Sequence, residues 1–181
     1  MAQWKIDPAH SEVHFKVKHL VISTVTGRFT SFDATIESSQ EDFSDAVIRF
    51  EADVKSINTG NAQRDAHLVS PDFFDAANHE KISFASAGVT VVSDHEMLVN
   101  GRLTLRGVTH EIALNVINNG TVRGFAGNKV AGFEIAGRVN RFDYGLQWNA
   151  VTEAGGVVVG NEVKIEILAE FTEVLAESKA A

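Results

Sequence analysis

A period of two governs this sequence. Val13, Phe15, Val17, His19 and Val21 share one parity, against Glu12, His14, Lys16 and Lys18 on the other. Ile48, Phe50, Ala52 and Val54 alternate with Arg49, Glu51, Asp53 and Lys55. The same alternation recurs at Val99, Gly101, Leu103 and Leu105, at Phe133, Ile135, Gly137 and Val139, and from Val163 to Phe171. Successive side chains of a strand point to opposite faces, so each run has one dry face and one wet face. That habit belongs to antiparallel sheets; parallel strands buried on both faces read as continuous apolar runs. Turn-forming segments separate the runs: Asn58-Thr59-Gly60, Asn118-Asn119-Gly120, Gly127-Asn128 and Gly155-Gly156. Counting the runs gives about eight strands, enough to close a small barrel and remove its exposed edges. A two-sheet sandwich satisfies the same periodicity and stays open as the alternative.

One stretch breaks the alternation. Asn61 to Leu68 carries helix formers, Asn61 or Thr59 can cap it, and Ser70-Pro71-Asp72 restarts a helical turn before Phe73 and Phe74. Residues 61–75 therefore read as a short helical insertion between strands. With 181 residues the chain suits one domain, 1–181, with the segment 173–181 expected to fray.

Composition excludes several functions. With no cysteine, thiolate chemistry, iron–sulfur clusters and Cys-type zinc sites are ruled out. A net charge of −8 gives no bulk attraction to nucleic acid or to an anionic membrane face, and no segment is apolar for long enough to span a bilayer. The N-terminal MAQWKIDPAHSEV has no basic start followed by an apolar run. As written, the chain is expected in the cytoplasm; a processed form would fit the periplasm. The 12 Phe against 1 Tyr suit an apolar interior, packed or hollow.

The polar constellations have plain readings. His10, Glu12 and His14 at alternate positions could offer a metal three ligands, but the neighbouring Lys16 and Lys18 disfavour a cation, and a solvated outer face is expected. His19 shares the parity of the apolar set. It is expected inside and hydrogen-bonded, with His10 and His14 outside. Ser11 and His10 point to opposite faces of a strand and cannot act as nucleophile and base, and no G-x-S-x-G elbow occurs. Arg64, Asp65 and His67 are expected to pin the insertion to nearby backbone rather than to read a head group. Gly101, Gly132 and Gly137 are expected to mark bends rather than room for a ligand. No catalytic residue and no metal ligand is assigned.

In order along the chain, WKIDPAHSEVHFKVKHL (4–20), STVTGRF (23–29), SINTGNAQRDAHLVSPDFFDA (56–76), KISFAS (81–86), VNGRLTLRGVTHEI (99–112) and NEVKIEI (161–167) resemble the YceI-like family. The block 56–76 is the most specific. The resemblance implies an extended, lipocalin-like up-and-down β-barrel of about eight antiparallel strands, with the helix inserted after the fourth. It also implies a long, narrow apolar pore for an isoprenoid chain, a quinone tail or a fatty-chain amide, and homodimers.

The expected function is to bind, and to carry or store, such a chain, with no other cofactor. An enzyme acting on an isoprenoid-type substrate in the same pore is the alternative, and a packed barrel serving a partner is the third. The expected ligand contacts are Val13, Phe15, Val17, His19, Phe29, Phe50, Val54, Phe73, Phe74, Phe84, Leu103, Phe133, Ile135 and Ile165. Ile48, Ile82, Leu105 and Ile167 join them on the inward face.

Overall fold

The structure, a computed structural model, describes residues 1–176. It contains eleven strands in one antiparallel sheet that closes on itself. Strands β1 (Ala2–Ile6) and β2 (Glu12–His19) lie end to end along one edge of β11 (Val159–Val174). Strands β3 (Ser23–Phe29) and β4 (Phe32–Ser38) pair with β2 and β1 respectively. Strands β5 (Val47–Asp53) and β6 (Ile57–Asn58) pair in turn with β4 and β3. These six short strands make three broken staves. Five continuous ones follow: β7 (Lys81–Val91), β8 (Glu96–Leu105), β9 (Val108–Arg123), β10 (Lys129–Asn140) and β11. Each stave neighbours the next in sequence, and the eighth returns to the first, so the sheet is a closed eight-stave barrel and not a sandwich.

The breaks are hydrogen-bonded rather than loose. Between β1 and β2 the Asp7 carboxylate caps a 3-10 turn, Pro8–His10, accepting from the Ala9 N–H at 2.9 Å. Across that gap Glu170 bonds both sides: its carbonyl accepts from the Asp7 N–H, and its own N–H donates to Ser11 Oγ. At the other two breaks Thr30 N–H donates to the Ser56 carbonyl and Asp53 N–H to the Ser31 carbonyl.

Helix α1 (Ala62–Val69) is capped by Asn61 Oδ1, which accepts from the Arg64 N–H. It follows the third stave, not the fourth strand: breaking three staves raises the strand count before the helix while leaving the connectivity unchanged. Two further expectations are corrected. Val21 leaves the strand and stands exposed at the β2–β3 tip. Glu173 and Val174 do not fray; they pair with Trp4 and Gln3 of β1. Residues 177–181 of the expected tail lie outside the described residues.

The strand glycines have two uses. Gly132 sits at a register shift between β10 and β9, a bulge that bends the wall. At Gly27, Gly101 and Gly137 an added Cβ would meet Phe15, Phe84 and Leu114 respectively. Gly27 and Gly137 give room to neighbouring side chains, while Gly101 both makes room for Phe84 and faces the register shift at Ser86–Gly88, so the expected bend holds there.

Candidate functional site: an apolar cavity along the barrel axis

The dry faces of the staves do not fill the barrel. They enclose a cavity of about 230 Å³ whose wall presents no polar surface. Its lining includes Phe15, Phe50, Phe84, Leu103, Ile135 and Ile165. Val13, Val17, Phe29, Phe73, Phe74 and Phe133 also line it, as do the inward-facing Ile48, Ile82, Leu105 and Ile167. Two expected contacts lie elsewhere. Val54, on the 3-10 turn Val54–Ser56, is buried in the core but does not line the cavity. His19 is the last residue of β2, beyond the wall. It is half-buried, and among the described residues its ring makes no hydrogen bond. Alternation carried the inward parity one step past the end of the cavity.

One end is closed by aromatic packing. The β4–β5 connection turns inward at Phe43, whose side chain is 2% exposed. Its ring meets Trp4 at 5.2 Å and Phe133 at 5.1 Å, both edge-on, and Phe133 meets Phe171 at 6.0 Å. Edge-to-face geometry at these spacings is the favoured aromatic contact.

The other end is closed by segments. Arg64 donates from Nε to Thr59 Oγ1 and from Nη2 to the Thr59 carbonyl, while Asp65 accepts from the Thr59 N–H and hydroxyl. That network pins the first turn of α1 to the loop that precedes it. His67 Nε2 lies 2.8 Å from Asp72 Oδ2, and its ring stands edge-on to Trp148 at 4.7 Å and to Phe73 at 5.1 Å.

Arg141 is the group the sequence did not disclose. Its guanidinium donates to the carbonyls of Gly160, Leu146, Trp148 and Val159 at 2.7–3.2 Å. It lies 4.6 Å from the Phe142 ring centroid. It is 4% exposed, and burial pulls its pKa below the ordinary value. One side chain thus holds the 146–160 loop over the mouth. The neighbouring Tyr144 hydroxyl is buried with no hydrogen-bond partner among the described residues; burial, then the charge of Asp143, raises its pKa. Arg141 comes from a short 3-10 turn without periodicity, so no pattern singles it out, nor Phe43 in its loop. Ile112, Leu114 and Val116 of β9 also line the cavity, and their alternation was a readable signal.

Ionisable groups do not converge on the cavity. Of the wall residues only His14 and Arg141 are ionisable; His14 Nε2 pairs with the exposed Glu12 at 3.0 Å, and Arg141 is held by carbonyls. The expected His10, Glu12 and His14 face is split, because His10 stands on the 3-10 turn and not on a strand. His10 pairs with Asp7 at 2.8 Å and lies 3.8 Å from Glu170. The hydrogen bond to Asp7 raises the His10 pKa and lowers that of Asp7.

A closed, eight-stave antiparallel barrel around a cavity of apolar wall surface defines an up-and-down β-barrel with an internal cavity. Within that class the chain belongs to the YceI-like domain family, whose pattern it matches over residues 4–171. It is 39% identical over 173 residues to the UPF0312 protein SA2479 of Staphylococcus aureus, covering 95% of this chain and 98% of that one. Burkholderia cenocepacia BcnA shares the fold at a TM-score of 0.77 and 19% identity, over 91% of this chain and 98% of that one. A polyisoprenoid binding domain from Saccharophagus degradans does so at 0.65 and 19%, over 94% and 98%.

Proposed function

We propose that this protein binds a long apolar chain lengthwise in the barrel and stores or carries it. The cavity carries this reading: an unfilled apolar space along a barrel axis favours an apolar occupant, at roughly 0.8 kcal/mol per buried CH₂. With no polar surface in the wall, selection rests on length and width, so an isoprenoid, a quinone tail and a fatty-chain amide all suit it. The likeness to a polyisoprenoid binding domain points the same way. A binding role is favoured over catalysis because the acid, base and electrostatic groups a reaction needs do not converge inside.

Native mass spectrometry of gently purified protein, before and after addition of a polyprenol from ethanol, tests the reading. A lipid-sized mass increment, present from the start or after addition, is the expected result. A bare mass with no uptake of polyprenol or a fatty amide would leave only a packed barrel and overturn it.

A further inference from the structure

The β2–β3 hairpin turns over Leu20, Val21 and Ile22. Leu20 has φ +53° and Val21 φ +67°, the left-handed region that hairpin turns fill with Asn, Asp or Gly. A β-branched residue there is an outlier, and such strain points to a task outside the fold. Val21 is 72% exposed and Ile22 86%, so the strain serves no packing. The Leu20 N–H donates to the Val158 carbonyl, tying the tip to the loop that carries the exposed Val151 and Val157.

Under this tip the wall is interrupted. β11 pairs with β2 at Val159 and His19 and next at Val163 and Val17, leaving Gly160, Asn161 and Glu162 opposite Lys18 alone. An outer groove over this bulge is lined by Val21 and Val157 with Lys16, Lys18 and Lys164. Val17 is the wall residue common to the groove and the cavity, so one residue separates the two there. The groove's acids are engaged: Glu166 with Lys16 at 2.9 Å, Glu162 with Arg138 at 3.6 Å. Among the described residues Lys18 and Lys164 make no ion pair. In a chain of net charge −8 this rim is locally basic.

We propose that the tip and the adjoining loop dock on a bilayer containing anionic lipid. Val21, Ile22, Val151 and Val157 enter the interface, Lys18 and Lys164 meet the head groups, and the apolar chain passes beside Val17 without crossing water. The passage step rests on the cavity reading above; the docking does not. The local rim favours an anionic surface over a second copy, whose matching rim would bring Lys18 and Lys164 against their own counterparts. A protruding tip also suits insertion better than the broad face a stable dimer needs. The opposite end has an exposed aromatic of its own, Phe125 on the β9–β10 turn, but no residue from 117 to 132 lines the cavity.

The test is partitioning onto sedimenting vesicles of equal parts phosphatidylcholine and phosphatidylglycerol. The parent is expected to bind. Val21→Asn with Ile22→Ser is expected to lose on the order of 100-fold, since each aliphatic contributes about tenfold. Asn suits the left-handed position, so the same variant is expected to melt no lower than the parent, and to take up polyprenol from ethanol as the parent does. Lys18→Glu with Lys164→Glu is expected to weaken binding, and Phe125→Ser to leave it intact. The proposal is overturned if the parent stays in solution, if the tip variant binds like the parent, or if Phe125→Ser alone abolishes binding. A parent that is a dimer and becomes monomeric in the tip variant would make the second copy the partner and also overturn it. Failure of polyprenol uptake by the parent would instead count against the cavity reading.

Discussion

The two ends of the barrel are closed by different physics. At the Phe43 end, rings from a loop and three staves interlock edge-on, and the loop that carries Phe43 is anchored by the Asp45 carboxylate, which accepts from Ser38 Oγ and from the Ser39 and Gln40 N–H groups. At the Arg141 end, separate segments are gathered by hydrogen bonds to one guanidinium and to Thr59. Apolar closure is indifferent to direction and hard to open piecemeal; closure by a few directed bonds can release one segment while the rest stays in place.

Three measurements break or sharpen this contrast. Phe43→Ala should cost the most, about 3–5 kcal/mol in denaturant unfolding, because it empties a ring-sized space in a packed cluster. Amide exchange in the 145–159 loop should be unchanged in that variant. Arg141→Met should cost less, about 1.5–3 kcal/mol, because the long apolar stem is retained while the charged hydrogen bonds go. Its signature is local: faster amide exchange over 145–159 and faster release of a bound chain. If Arg141→Met loosened both ends equally, the contrast between them would be wrong.

The smallest effect concerns the Asp7–His10 pair beside the closing seam. His10 is raised, so its contribution is full below its unfolded pKa and lost as pH rises through the folded value. Asp7 is lowered, so its contribution is present above its unfolded pKa and lost as pH falls through the folded one. The pair therefore supports the turn between about pH 4 and 6.5. NMR titration should show His10 titrating above a free histidine, and Asp7→Asn should return it toward the free value.

What the sequence disclosed follows from the same division. Alternation assigned Phe15, Phe50, Leu103 and Ile165 to the inside because strand parity is a local property, readable from neighbours two apart. Phe43 and Arg141 are placed by contacts across the barrel, which no short window contains. His19 and Val21 show where parity stops informing: the pattern continues in the letters while the chain has already begun to turn.

The seam that closes the barrel joins the first strands to the last, with Ser11 and Glu170 bonded across 159 positions. Contacts so distant in sequence form late and slowly, since the loop must be closed before they stabilise anything. A growing chain therefore passes through a stage in which seven staves exist and β10 and the β1–β2 stave both present open edges. Such edges invite pairing with other chains. Completion waits for the last stave to emerge, so a truncation within β11 should yield aggregation-prone material, whereas a nick in the exposed β9–β10 turn should be tolerated.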